Sequence, residues 1–424
     1  MHAEKKPHYK PTIILAGGYG HTKDNLHRDL YNKYETSLKD VLTGTKNLLD
    51  SGGSAVDAAV SAIAHLEDDE LFNAGRGSVL AQDGSIQMQA SIAVTSVESS
   101  LHTSVALGDY VAVSLVQNIK NPIKLCRELL RDSTSNSRRL HLSGSKADTI
   151  GKDLGLDIRD ADYFKTDYRR KEFQHGLLGL SGEHIPKPLV KGAVACVCLD
   201  MEGRIAVACS SGGSANKVSG EIESTATIGA GILAESWSEL VDTTKVMRYE
   251  NGPRTGRSTG ELDSLFTNSN LGRFWSASLF RSCFPSFQAL MLSYDRHAYD
   301  PLSSTDHNTS NKLPGRYRKR AVALAAIGDS DIIARATVTK ACANMARFSS
   351  GNMLLQDAVT RVVGPAGELQ RGASGGKSSA GVIWIELSRD YQEQTSLRVG
   401  DDYNTDGFWR AAYNGSQPVV RVFR

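Results

Sequence analysis

Cysteine is scarce in this sequence, with six residues in a chain of 424. They are Cys126, Cys196, Cys198, Cys209, Cys283 and Cys342, and none shows the doubled C-x2-C spacing that is typical of zinc sites. So few cysteines in so long a chain exclude a small fold held together by disulfides. Cys196 and Cys198 lie two positions apart in an apolar run and would share one face of a strand, so we favour small buried side chains over a redox pair.

Long hydrophobic runs are missing as well. No stretch approaches the ~20 apolar residues that a membrane helix requires. Near the N-terminus only Ile13 to Ala16 is apolar, which is too short for a convincing secretory signal. We therefore expect an intracellular protein of the cytoplasm or nucleus, with no membrane partner.

Neither sign of charge dominates, because 49 Lys and Arg residues oppose 47 Asp and Glu residues and the formal net charge is +2. Nucleic acid is therefore not the expected main partner. The short basic run from Arg316 to Arg320 is predicted to be solvated surface, with a targeting or nucleic-acid role as the alternative. The rest of the composition, 40% hydrophobic and 23% charged, is that of a globular protein and excludes wholesale disorder.

The apolar patterning predicts ordered elements near the N-terminus. Thr12 to Ala16 predicts a buried strand before a glycine-rich turn, and helical spacing from Leu38 to Leu49 predicts a helix that ends at Ser51-Gly52-Gly53. Ser54 is a suitable N-cap for the next helix, and Asn121-Pro122 are suitable residues to begin a third.

Further along, a β-hairpin is predicted from Ala193 to Cys209, with its turn at Asp200 to Gly203. Helical spacing returns from Ile332 to Met345, and strands are predicted at Val382 to Leu387 and at Val419 to Phe423. Polar composition predicts a linker with short helices over 131–187 and an irregular insertion over 235–320. Runs of strands between runs of helices favour a layered α/β sandwich over a doubly wound sheet.

The sequence does not support three common functional motifs: a dinucleotide-binding turn, a nucleophile elbow and a histidine metal site. The glycines of Gly17 to Gly20 lack the third glycine of a dinucleotide-binding turn. Gly372 to Gly376 matches G-x-S-x-G as a string but precedes a strand, whereas a nucleophile elbow joins a strand to a helix. The eleven histidines show no metal-ligand spacing, so we expect no metal site built from side chains.

Eight short segments occur together in a specific order: Ile14–Gly20, Ser54–Ala59, Leu66–Asp68 with Phe72–Gly77, Ala90–Ile92, Ile119–Pro122, Gly192–Ala195, Ser210–Gly213 and Ile228–Gly231. Each is weak alone, but in combination they resemble the plant-type asparaginase and isoaspartyl-peptidase family of N-terminal nucleophile hydrolases. Ser210 to Gly213 and Asn404 to Phe408 are more similar to its threonine aspartase (taspase) branch.

This resemblance implies an α/β fold of the four-layer αββα type. It implies one domain over 12–424, built from 12–130 and 188–424. Family members cut themselves into two chains, and the new N-terminal threonine is the nucleophile. Its own α-amine, with a pKa near ~8, acts as the base.

The resemblance also implies a homodimer and, if the protein is active, a small acidic amide or peptide as ligand. No cofactor is expected. Some family members hold a structural sodium ion on backbone carbonyls of the segment that corresponds to Leu66 to Arg76.

The sequence departs from the family where the chemistry takes place. The cleavage position falls at Gly192-Ala193, so Ala193 stands where the nucleophilic threonine is expected, and a methyl group cannot attack. Ser211 is retained at the position of the supporting hydroxyl, and Asn73 is retained in the loop that braces the site. Placing the nucleophile at Cys196 or Cys198 would break the spacing and put the cut inside a strand.

The positions that contact substrate in the family differ too. Glu221 replaces an arginine that pairs with the substrate carboxylate, and Ser224 replaces an aspartate that holds the substrate amine. In the oxyanion-hole loop Ala325 and Ala326 replace the usual hydroxyl residue and first glycine, while Gly328 is kept. The sequence thus predicts an uncleaved, catalytically degenerate family member with a binding or regulatory role. The alternative is an active threonine-type hydrolase, acting on amide or peptide bonds at Asp or Asn, whose nucleophile is mutated or misaligned here.

Overall fold

The computed structural model describes residues 8–21, 26–99, 106–131, 140–178, 189–241, 317–349, 353–372, 378–413 and 417–422. Most of the predicted insertion (242–316), Cys283, Arg316 and residues 373–377 lie outside the described residues. Within the described part the fold is mixed α/β, with two β-sheets and ten α-helices.

The larger sheet has eight strands in the order β13-β12-β1-β6-β7-β2-β4-β5. These strands are β1 (Thr12–Tyr19), β2 (Met88–Ser96), β4 (Asp109–Val116), β5 (His141–Ser143), β6 (Val194–Leu199), β7 (Arg204–Ser211), β12 (Phe408–Tyr413) and β13 (Pro418–Arg421). Neighbours are antiparallel, except that β4 and β5 run parallel. The first described strand, β1, therefore lies inside the sheet, between β6 and β12.

The smaller sheet has five antiparallel strands in the order β11-β10-β9-β8-β3. They are β3 (Ala106–Leu107), β8 (Ile232–Leu240), β9 (Tyr317–Gly328), β10 (Ala380–Arg389) and β11 (Thr395–Tyr403).

The helices are α1 (Arg28–Asp50), α2 (Ala55–Asp68), α3 (Pro122–Arg131), α4 (Ser145–Asp153), α5 (Ala161–Phe164), α6 (Asp167–Leu177), α7 (Ser330–Ala336), α8 (Val338–Phe348), α9 (Leu355–Val363) and α10 (Glu368–Gly372). None of the helices in the described part of the chain combines the length and the apolar character that crossing a membrane requires.

Three clusters of buried apolar side chains form the core. The first joins α1, α2 and α3 to the eight-stranded sheet and includes Leu38, Ile63 and Cys196. The second contains residues of both sheets, such as Val207 and Ile385. The third joins the five-stranded sheet to α7, α8 and α9. The sheets thus share one core, and each also shares a core with helices.

Several local predictions are confirmed. Helix α1 ends at Asp50, directly before Ser51-Gly52-Gly53. Ser54 caps α2, since its Oγ accepts a hydrogen bond from Asp57 N at 3.1 Å. Strands β6 and β7 form the predicted hairpin. Cys196 and Cys198 lie side by side and fully buried, with their Sγ atoms 3.4 Å apart.

The limits of the predicted irregular insertion are wrong, because residues 235–240 lie in β8 and residues 317–320 lie in β9. The polar side chains that suggested an irregular segment are buried and paired. Glu235 is fully buried beside Lys340, and Glu239 accepts a hydrogen bond from Arg318 Nε at 2.7 Å. Charge pairing across neighbouring elements allows a polar sequence to form an interior strand.

The prediction of solvated surface for the basic run is wrong at Arg320. Its side chain is only 2% exposed, and its Nε donates to Glu386 Oε1 at 2.7 Å. Arg320 Nη1 lies 3.4 Å from Glu239 Oε2. A guanidinium with two buried carboxylate partners need not reach solvent.

The segment predicted as a polar linker contains β5 and the helices α4, α5 and α6. Ala147 and Phe164 are fully buried in the first apolar cluster, so the segment contributes to the core. The helix predicted from Ile332 to Met345 is divided into α7 and α8 at Thr337, whose φ of 45° and ψ of 52° interrupt the helical backbone.

Candidate functional site

A cavity of about 200 Å³ lies where β1, β7 and β9 end and where β6 and α7 begin. It brings together seven of the predicted site residues: Asn73, Gly192, Ala193, Ser211, Ser224, Ala326 and Gly328. These residues are distant in sequence and come from both sheets. Their convergence makes this cavity the candidate functional site.

The backbone before Ala193 is held against the end of β1. Tyr19 N donates to Lys191 O at 2.8 Å, and Lys191 N donates to Tyr19 O at 3.0 Å. Gly192 has a φ of +84°, and a Cβ atom there would lie 2.5 Å from Cε1 of Tyr19. Glycine is therefore required at 192, and it turns the chain so that Ala193 enters the cavity at the start of β6.

Asn73 connects its own loop to the loop that follows Ser211 through side-chain hydrogen bonds. Its Nδ2 donates to Gly213 O at 2.7 Å, and its Oδ1 accepts from Val79 N at 3.0 Å. Ser211 Oγ accepts a hydrogen bond from Gly213 N at 2.9 Å. This bond uses one lone pair of the Ser211 oxygen and ties the hydroxyl to the backbone of Gly213.

Ser224 begins a single 3-10 turn on another side of the cavity. Its backbone N donates to Ser330 Oγ at 2.7 Å, which connects the turn to the first residue of α7. Glu223, directly before it, is 8% exposed and accepts a hydrogen bond from Ser214 N at 2.5 Å.

Glu221 and Ala325, two of the predicted substrate-binding positions, do not line the cavity. Glu221 is exposed, and its Oε2 accepts from Val218 N at 3.3 Å. Ala325 is fully buried in the apolar cluster that both sheets share. Because successive residues of β9 face opposite sides, Ala325 packs inward while Ala326 contributes to the cavity wall.

Four charged side chains line the cavity: Arg169, Glu172, Lys191 and Glu223. Burial, together with the negative charges of Asp329 and Glu223, raises the pKa of Tyr19 to about 12. Tyr19 is therefore a neutral hydroxyl at physiological pH and has no role as a base.

The lining residues in the described part of the chain include no cysteine and no histidine. Position 193 contributes a methyl group and, in an intact chain, an amide nitrogen that cannot accept a proton as an α-amine does. The arrangement offers hydroxyls, backbone N–H groups and charges to a ligand. It is suited to binding a small polar molecule.

Comparison with known proteins adds independent evidence. The family model described as Asparaginase matches residues 9–244. The isoaspartyl peptidase/L-asparaginase of Xenopus laevis is 34% identical over 235 residues, which cover 55% of this chain and 70% of the relative. The protein of the same description from Rattus norvegicus is 37% identical over 232 residues, covering 55% and 65%. The human one is 31% identical over 234 residues, covering 55% and 70%.

The chain belongs to the asparaginase family. The family match contains Asn73, the Gly192-Ala193 position, Ser211 and Ser224. Ala326, Gly328 and Ser330 lie beyond residue 244, and only the fold brings them into the cavity.

Some cavity residues of this family member were not among those predicted from the sequence. Tyr19 and Glu223 lie within or beside motifs, so their proximity to predicted residues was a usable signal. Arg169 and Glu172 lie on α6, inside the segment predicted as a linker, where no motif marks them.

In the Leu66 to Arg76 segment, Phe72 O and Glu70 O would lie 2.0 Å and 2.8 Å from a Cβ atom on Gly77, so two backbone oxygens approach that glycine closely. Oxygen is the ligand that hard cations such as sodium prefer. In the described part of the chain, no group of three or more His, Cys, Asp or Glu side chains could hold a metal ion.

Proposed function

We propose that this chain is an uncleaved, catalytically degenerate member of the asparaginase family, close to its taspase branch. In this proposal it binds a small acidic amide or peptide and acts by binding or regulation. The observation that carries the proposal is the methyl group of Ala193. It lies directly before β6, in the cavity that the other site positions of the family also line.

The departures around the cavity support loss of the family reaction. Glu221 is exposed and does not line the cavity, whereas the family position carries an arginine for the substrate carboxylate. Ala326 offers neither a hydroxyl nor the flexibility of glycine. Removal of an essential nucleophile alone can lower turnover by ~10⁶, and several further changes make recovery harder.

The proposal includes the four-layer αββα arrangement of the family. Three separate apolar clusters support it, since one lies between helices and the larger sheet, one is shared by both sheets, and one lies between the smaller sheet and its helices. We also propose a homodimer located in the cytoplasm or nucleus, as the resemblance and the sequence composition suggest.

An active threonine-type hydrolase is the second candidate. Asn73 and Ser211 favour it, because both lie in the cavity and hold the loop geometry next to residue 193. In this alternative the nucleophile is mutated to alanine at 193 or is misaligned here, and the other differences around the cavity are compatible with activity.

The first test is the intact mass of freshly purified protein under denaturing conditions. We expect one species at 45.8 kDa, the mass of the whole chain. Two fragments that join at Gly192 and Ala193 would contradict the proposal, because the chain would then be cut without a hydroxyl at 193.

The variant Ala193→Thr separates the two candidates, with Ala193→Val as the control of equal shape and no hydroxyl. We expect both variants to remain one chain and to show no hydrolysis of aspartyl peptides. Cleavage or hydrolysis by Ala193→Thr alone would support the second candidate. A thermal unfolding curve for each variant establishes that it is folded.

A further inference from the structure

Arg169 lines the cavity although it lies outside every family motif. It is the third residue of α6, and its side chain is only 2% exposed. Its Nε donates to Gly77 O at 2.6 Å, and its Nη1 donates to Glu172 Oε2 at 2.7 Å. Two of its three nitrogens are thus held by the protein, which fixes the plane of the guanidinium.

The third nitrogen, Nη2, is buried and has no hydrogen-bond acceptor among the described residues. Buried charged donors without an acceptor are rare in folded proteins, because the donor has lost its water and gained nothing in return. A bound ligand that accepts from Nη2 would remove this deficit. Because Arg169 is one of the residues that line the cavity, its unpartnered donor points to a ligand with an acceptor.

A carboxylate is the ligand group that best fits this donor. It is planar, negatively charged and able to accept from a guanidinium in a fixed geometry. Glu172 already engages Nη1, and Glu223 accepts from Ser214 N, so both lining carboxylates have partners of their own. Lys191 adds a second positive charge to the wall.

We propose that Arg169 is the carboxylate-binding residue of this cavity, acting from α6 in place of the arginine that the family carries at the position of Glu221. This inference rests on the proposed function, in which the ligand is small and acidic. The cavity volume of about 200 Å³ is below the roughly 300–1,000 Å³ of sites for drug-sized ligands, so the ligand has the size of an amino acid or a short dicarboxylate.

The α6 segment precedes the Gly192-Ala193 position, and an intact chain keeps it covalently attached to β6. The proposal thus gives the uncut segment a function of its own. It supplies the charge that selects the ligand.

The test measures succinate binding to the full-length chain by isothermal titration calorimetry, with succinamide as the neutral ligand of equal shape. We expect succinate to bind and succinamide to bind at least tenfold more weakly. Arg169→Gln should weaken succinate binding at least tenfold. The control Arg170→Gln, on the same helix but about half exposed and paired with Asp162, should leave it unchanged.

Arg169→Gln also removes the hydrogen bond to Gly77 O, so a second variant guards against loss of the fold. Glu172→Gln removes the charged partner of Nη1 and leaves the arginine in place. We expect it to tighten succinate binding several-fold. Equal affinity in the wild type and Glu172→Gln, or equal binding of succinate and succinamide, would overturn the proposal.

Failure here is distinguishable from failure of the proposed function. If succinate binds Arg169→Gln as well as the wild type, while the mass stays at that of one chain, only the role of Arg169 is wrong. If succinate does not bind the wild type, both the role of Arg169 and the small acidic ligand of the proposed function are contradicted, while the uncleaved state still stands on the mass. If the chain is found cut at Gly192-Ala193, the proposed function fails whatever the succinate result.

Discussion

Glu67, near the C-terminal end of α2, is fully buried. Its Oε1 accepts hydrogen bonds from Ser210 Oγ at 2.7 Å and from Ile123 N at 3.2 Å. Burial raises the pKa of Glu67 to about 8, even though these hydrogen bonds act in the opposite direction. Oε2 has no partner among the described residues, so the carboxyl is neutral at pH 7 and ionises only at mildly alkaline pH.

The raised pKa of Glu67 predicts a loss of stability with increasing pH. The folded chain keeps this proton up to about pH 8, whereas the unfolded carboxyl loses it near its ordinary pKa of 4.5. Because the folded state binds more protons in that window, the free energy of unfolding falls as pH rises from about 4.5 to about 8. Glu67→Gln mimics the protonated acid and should be more stable than wild type at pH 9 by ~1–3 kcal/mol, with little difference at pH 5.

Urea unfolding at pH 5 and pH 9 measures this effect. Glu70→Gln is the matched control, since that side chain is 59% exposed and should not alter the pH dependence. If the free energy of unfolding of Glu67→Gln depends on pH as strongly as that of the wild type, Glu67 is not the cause of the pH dependence.

Between elements, Asp200 joins the β6–β7 hairpin to the start of α2. It is 2% exposed. Its Oδ1 accepts from Glu202 N and Arg204 N, both at 3.0 Å, and closes the turn. Its Oδ2 accepts from Ala55 N at 3.0 Å, so the same carboxylate satisfies a free N–H in the first turn of α2.

Asp200→Ala should therefore damage two elements at once. We expect the free energy of unfolding to fall by about 2–3 kcal/mol, because several buried backbone donors lose their acceptor. The control is Glu202→Ala in the same turn, whose side chain is 71% exposed and should change stability by less than about 0.5 kcal/mol. Equal losses in the two variants, measured by chemical denaturation, would contradict the role given to Asp200.

Elements that depend on local signals could be predicted from the sequence. The apolar run and turn of the β6–β7 hairpin, and the Ser54 cap of α2, are local and strong. Strand β8 was not predicted. Its Glu235 and Glu239 are acceptable in an interior strand only because they pair with Lys340, Arg318 and Arg320, which are distant in sequence.

The candidate site was likewise predictable only where the sequence carries recognisable motifs. The family motifs and their order predicted Asn73, Gly192, Ala193 and Ser211 as site residues, and all four line the cavity. Arg169 could not be predicted, since its significance comes from burial and from an unpaired nitrogen rather than from any neighbouring residue type.

At the scale of the whole molecule, the segment 242–316 begins and ends at the same edge of the five-stranded sheet. Leu240, at the end of β8, pairs directly with Tyr317, at the start of β9. Residues 242–316 therefore connect two paired strand ends, as the loop of a hairpin does, and a connection of a few residues is long enough for that geometry.

Replacing residues 242–316 by a short Gly/Ser linker should accordingly leave the domain folded. We expect the shortened chain to unfold cooperatively, with a melting temperature within a few degrees of that of the full chain. A larger deletion that also removes β8 (232–316) serves as the control and should not fold, because β9 would lose a buried neighbour. Failure of the shorter deletion to fold would show that 242–316 is needed for the fold.

The place of β1 inside the eight-stranded sheet has a consequence for synthesis in the cell. Trp409 Nε1 donates to His21 O across 388 positions of sequence, and β1 pairs with β12 near the C-terminus. A nascent chain cannot complete this sheet until almost all of it has left the ribosome. Pairings so distant in sequence are slow to form and leave strand edges exposed meanwhile, so folding of this protein should be late, slow and dependent on chaperones.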